Sequence, residues 1–190
     1  MKKSKGLIFG VMTGLLICSF SIATAGDKKE HTRPNIGTFG GTFLSTRMDL
    51  NDDGVLAGWS TAEVSGTLGK RTSQSVVESV PTGPTPECPG GVSIIDAQKG
   101  VGFSTAIATF PDGDQLYGRI RTRTQCGLGG GKYTTVDTQE ILGGTGKFEG
   151  ASGTAEVHST SLCQAFDGNA VPPQCYGSFI GEFTGTITLP

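Results

Sequence analysis

Residues 176–189 read YGSFIGEFTGTITL and alternate from end to end. Phe179, Gly181, Phe183, Gly185 and Ile187 fall on one face, with Ser178, Glu182, Thr184 and Thr186 mostly on the other. A period of two is the signature of a strand with one face turned inward and one toward water. Moving toward the N-terminus, the same kind of segment recurs. Short runs of Thr, Val, Ile and Phe, broken by Gly, Pro and Asp, predict strands over 38–48, 60–68, 71–80, 92–97, 101–110, 115–125, 132–142 and 153–163. No long stretch carries apolar residues at helical spacing.

The connections have turn chemistry. Pro111-Asp-Gly-Asp114 is a tight turn between two strands and predicts a hairpin. The segments 81–91 (PTGPTPECPGG) and 164–175 (QAFDGNAVPPQC) are long Pro/Gly-rich loops that contain or end in a cysteine. Eight or nine strands at this spacing form either a closed barrel or a sandwich. The chain holds 31 glycines, many inside strands, as expected where barrel strands bend sharply. The expected fold is therefore all-β, a single antiparallel eight-stranded barrel with a ninth strand allowed for. A barrel also removes exposed sheet edges, and at about eight strands it has room for one small ligand.

The first 25 residues have a separate purpose. Lys2, Lys3 and Lys5 precede an apolar run from Gly6 to Ile22, which ends in Ala23-Thr24-Ala25. That is the three-part pattern of a secretory signal, with cleavage expected after Ala25. Residues 26–36 (GDKKEHTRPNI) are polar and are expected to form a loose tether before a barrel domain over 37–190. Losing the three lysines takes the net charge from −2 to −5, so no basic excess exists to hold nucleic acid. No second apolar run reaches membrane-spanning length. The expected location is the periplasm or the extracellular space. Cys88, Cys126, Cys163 and Cys175 then become two disulfides. Of three possible pairings, Cys88–Cys126 and Cys163–Cys175 are favoured, because each closes or brackets a neighbouring hairpin. No Cys-x-x-Cys pair supports a zinc site.

The most distinctive motif is Gly143-Gly-Thr-Gly-Lys-Phe-Glu-Gly150. It is not a phosphate loop, since Phe148 stands where a Walker motif needs Ser or Thr. It is not a dinucleotide fingerprint either, since Glu149 stands where the third glycine belongs and no helix follows. Gly143, Gly144, Gly146 and Gly150 are instead expected to shape a connection between strands, with Phe148 plugging one end of the barrel. Together with the Phe110–Asp114 turn and the strand Gln115-Leu-Tyr-Gly-Arg-Ile120, this motif resembles the allene oxide cyclase/dirigent-like β-barrel superfamily. The resemblance covers a third to a half of the mature chain. It implies an eight-stranded barrel with a central cavity, and an assembly of two or three copies. It brings no pocket residues with it, and fold analogy alone is a weak warrant for function.

Other side chains suggest chemistry. Asp49, Asn51 and Asp53, followed by Gly54, start like a calcium loop, but Ser60 stands at the twelfth position and no helices flank the segment. The competing account is an Asx/Gly turn between strands. Apart from calcium, no cofactor is suggested. Arg119, Arg121 and Arg123 are spaced to share one strand face beside Tyr117. They either line a lumen and grip an anion or, as burial cost favours, form a solvated outer stripe. Glu78, Asp137, Glu140 and Glu182 lie within strands, and an inward-facing one would be a candidate acid or base. His31 and His158 have no Ser or Cys partner at a recognised spacing. Trp59 is expected as a core or rim anchor.

These residues favour an exported, non-enzymatic barrel that binds a small apolar or amphipathic molecule, with Glu78, Tyr117, Arg119 and Asp137 as candidate contacts. A cyclase-like or dirigent-like steering of a reactive molecule is the second reading and needs an inward carboxylate. A structural or interaction module is the third, with the cysteine loops as its partner surface.

Overall fold

The computed structural model describes residues 30–46, 49, 55–167 and 174–190. The predicted signal segment lies outside them. Ten strands make one sheet: β1 (His31–Ser45), β2 (Gly58–Gly66), β3 (Arg71–Glu78), β4 (Val80–Gly83), β5 (Val92–Asp96), β6 (Phe103–Thr109), β7 (Gln115–Gly129), β8 (Lys132–Gly144), β9 (Ser152–Asp167) and β10 (Gln174–Leu189). Every pairing is antiparallel. Eight strands close into a barrel in the order β1-β2-β3-β6-β7-β8-β9-β10, and β10 returns to β1. Among the described residues no helix is long and apolar enough to cross a membrane.

The two remaining strands, β4 and β5, form a hairpin inserted between β3 and β6. β7 is long enough to serve both neighbours: Gln115–Gly118 pairs with β6, and Thr122–Cys126 pairs with β5. The Cys88–Cys126 disulfide ties the β4–β5 connection to β7, and the Gly90 and Gly127 backbones meet there through a 2.8 Å hydrogen bond. Cys163–Cys175 joins β9 to β10. Both pairings are the expected ones.

Two sequence expectations need correction. The composition of residues 26–36 predicts a tether, but His31–Ile36 is strand, paired in register with Leu189–Thr184 of β10. Its polar side chains hid a pairing whose information lies at the far end of the chain. The 81–91 segment is not loop throughout, because β4 runs to Gly83. Pro81 is tolerated there because β4 is an edge strand, paired only with β5.

The seam between β1 and β10 has a strict pattern. Gly37 lies opposite Phe183, Phe39 opposite Gly181, Gly41 opposite Phe179 and Phe43 opposite Gly177. A Cβ on Gly37 would come within 2.6 Å of Phe183 Cζ, and one on Gly181 within 2.5 Å of Phe39 Cζ. The Phe183, Phe39 and Phe43 rings thus occupy the space that Gly37, Gly181 and Gly177 leave.

One end of the barrel is stoppered. The motif after β8 makes a single 3-10 turn, Gly146–Phe148, whose phenylalanine is completely buried. It packs with Phe110, Leu116, Ala151 and Ile187, and its ring centroid is 4.5 Å from that of Phe110. The turn docks on the Phe110–Asp114 hairpin. Thr145 N donates to Gln115 O and Gln115 N to Thr145 Oγ1, both at 2.9 Å. Lys147 pairs with Asp112. Gly146 has φ +56, and a Cβ there would strike the Asp114 carboxylate. Phe148→Ala removes the centre of this plug and should cost about 3–5 kcal/mol of unfolding free energy. Chemical denaturation followed by circular dichroism measures it, and a loss under 1 kcal/mol on the same scale would mean that the plug does not close the barrel.

Candidate functional site

Above the plug lies a second apolar layer of Val64, Ala155, Val157 and Phe183. From there the interior is not filled. A cavity of about 470 Å³ runs along the lumen toward the far end, where Ser45, Tyr133, Ser161 and Cys175 line it. Interiors of folded proteins are close-packed, so an unfilled lumen of drug-sized volume is the candidate site.

Strand alternation supplies the lining. Phe39, Phe43, Phe179 and Phe183 come from the β1–β10 seam. Nine serines come mainly from β2, β3, β6 and β9, on the walls beside and across from that seam. Small side chains leave the space open, and their hydroxyls are partly spent on the wall itself. Ser60 and Ser75 bond each other at 2.7 Å, and Ser104 Oγ accepts from Ile120 N at 2.6 Å. Ser93 donates to Gln125 at 3.2 Å, and Gln125 donates on to Thr135 at 3.3 Å. The lumen is therefore amphipathic, with aromatic rings along one side and hydroxyl and amide groups along the others.

Tyr117, Arg119 and Asp137, expected as contacts, all line this cavity. Glu78 does not. It is fully buried on β3 beside Phe103, on the face opposite to that of Arg71, Ser73, Ser75 and Val77, which do line it. The three arginines do not share a face either. β7 carries an extra residue at Arg121, since Ile120 pairs with Gln139 and Thr122 with Thr138. The bulge reverses the alternation between Arg119 and Arg123. Arg119 is half exposed and bonds Glu140 through Nε at 2.9 Å and Nη2 at 2.8 Å. Arg123 turns inward and grips buried Asp137 with two bonds, Nε to Oδ1 at 2.8 Å and Nη2 to Oδ2 at 2.7 Å.

Arg71, at the start of β3, carried no signal in the sequence beyond its place in the 71-73-75-77 alternation. It is 8% exposed, lines the cavity, and lies over the rings of Phe110 (5.6 Å) and Phe183 (5.2 Å). Burial pushes its guanidinium down to about 10. A shift of that size disfavours the charged form by roughly 3 kcal/mol. Asn35 also lines the cavity, 6% exposed, and its buried Oδ1 has no hydrogen-bond partner among the described residues.

Of the candidate calcium ligands, Asn51 and Asp53 lie outside the described residues, and Asp49 is half-buried. Among the described residues no group of three His, Cys, Asp or Glu side chains converges as a metal site. His158 is exposed on the outer wall and paired with Glu156. Trp59 is 38% exposed and borders the cavity as a rim residue.

No family model matches the chain, and no curated protein matches it. Among solved structures it is similar to the pterocarpan synthase dirigent protein GePTS1, at 12% identity and a TM-score of 0.45. That likeness covers 85% of this chain and 87% of the other. What the cavity does must be argued from its own side chains.

The Arg123–Asp137 pair gives a direct test of the lumen wall. Arg123→Met strands a buried carboxylate and should cost about 3–5 kcal/mol. Adding Asp137→Leu should recover most of that loss, since an apolar pair of similar volume can replace a buried ion pair. Urea denaturation of the single and double variants checks this. Equal stabilities for the two would mean that the pair is solvated.

Proposed function

We propose that this protein is an exported barrel that binds a small amphipathic molecule in its lumen. The observation that carries this reading is the 470 Å³ cavity, with phenylalanines along one wall and serines along the others. A molecule with an apolar body and polar substituents complements such a lining, whereas a purely apolar one would leave buried hydroxyls without partners. The two disulfides support export, because such bonds persist in oxidising compartments.

Binding is favoured over catalysis by the state of the lumen acids. Both oxygens of Asp137 accept from Arg123, and Glu140 is held by Arg119. A steering or cyclising enzyme needs a carboxylate left free to exchange a proton with its substrate. The cavity also weighs against a purely structural module, which would gain stability from a packed interior.

Native mass spectrometry of the protein purified from its exported fraction tests the proposal. The expected spectrum carries a bound small molecule that is lost on gentle activation, and the released protein should regain thermal stability when that molecule is returned. A ligand-free spectrum, together with no thermal shift across a panel of amphipathic small molecules, would overturn it.

A further inference from the structure

The lumen is charged against the rest of the chain. Its lining holds Arg71, Arg119, Arg123, Asp137 and Glu140 among the described residues. Arg119 and Arg123 are matched by Glu140 and Asp137. Arg71 is not matched, and no carboxylate among the described residues pairs with it. A protein of net charge −2, or −5 after loss of the predicted signal, thus keeps a net positive charge inside its cavity.

The geometry of that charge is specific. A guanidinium has two faces and an edge of five N–H donors. The Cζ of Arg71 lies over the Phe110 and Phe183 rings, 5.6 and 5.2 Å from their centroids. Of its edge, one donor is used, Nη1 to Gly69 O at a long 3.3 Å. The other donors of this residue, which is 8% exposed and lines the cavity, make no hydrogen bond to any described residue. Removing a cation from water is costly unless a counter-charge meets it, and stacking on rings recovers only part of that cost. The partnerless buried Oδ1 of Asn35 lines the same cavity and independently marks a place for a ligand's polar group.

We propose that Arg71 is the anion-binding residue of the lumen, and that the ligand is a small organic oxyanion, a carboxylate or sulfonate on an apolar body. The anionic end enters first and meets the in-plane donors of Arg71 beside Phe183. The body lies along Phe39, Phe43 and Phe179. The planar donor edge suits an oxyanion that accepts two parallel bonds. This inference rests on the binding reading above and adds the charge and orientation of the occupant.

Two fluorescent probes separate the inference from that reading. N-phenyl-1-naphthylamine is neutral, and 1-anilinonaphthalene-8-sulfonate is the same ring system with a sulfonate added. The disulfide-bonded protein should bind both, the sulfonate more tightly. Arg71→Met should weaken the sulfonate by about 10- to 100-fold, the worth of hydrogen bonds to a charged group, and leave the neutral probe within about twofold. Arg71→Lys should keep part of the preference, and far-UV circular dichroism should be unchanged in both variants. If both variants lose their dichroism, raising the salt concentration on the unaltered protein gives the same decision. A preference buried in the lumen should survive it, and a surface contact should not. Binding of neither probe would remove the lumen reading itself. Binding of both with equal affinity, or a sulfonate affinity that Arg71→Met leaves intact, would overturn the anion site alone.

Discussion

Across the seam between β1 and β10, each inward phenylalanine of one strand lies over a glycine of the other. This exchange is what lets the first and last strands of the barrel meet. Closing eight strands demands strong tilt and coiling, and an inward Cβ at these glycines would press into a ring or a neighbouring backbone. The pattern also fixes the register. A slip of one residue would turn the whole phenylalanine set to solvent, and a slip of two would set ring against ring. The cavity follows from the same arrangement. Rings set opposite glycines take up less of the lumen than rings set opposite rings, and the other walls contribute many serines.

Much of the fold was legible because alternation is a local property. The run 176–189 announces its inward face without help from the rest of the chain, and the same holds for most of the other strands. What was missed depends on distant partners. His31–Ile36 has tether-like composition and becomes strand only because Thr184–Leu189 is waiting for it. β4 is four residues long, contains a proline, and exists as the edge of a hairpin stapled to β7.

The site was less legible, for reasons of parity. Arg119, Arg121 and Arg123 are equally spaced in sequence, yet a single extra residue at Arg121 sends Arg123 inward and leaves Arg119 half exposed at the cavity border, tied to Glu140. Asp137 lies opposite Arg123 on β8, and both line the cavity. Glu78 does not line it, because it sits one residue out of phase with the lumen face of β3. Arg71 follows Gly69 and Lys70, so it looks like the polar end of a turn. Only closure of the barrel brings the rings of Phe110 and Phe183, more than a hundred residues apart in one case, beneath its guanidinium.

The buried phenylalanine at the base of the barrel has a consequence for traffic. A cylinder stoppered at one end works as a cup and not as a pipe. On the binding reading proposed above, a guest would leave by the way it came, and a second guest could not push the first out from behind. The pace of exchange in such a vessel is set where the guest is gripped, and no downstream exit relieves it.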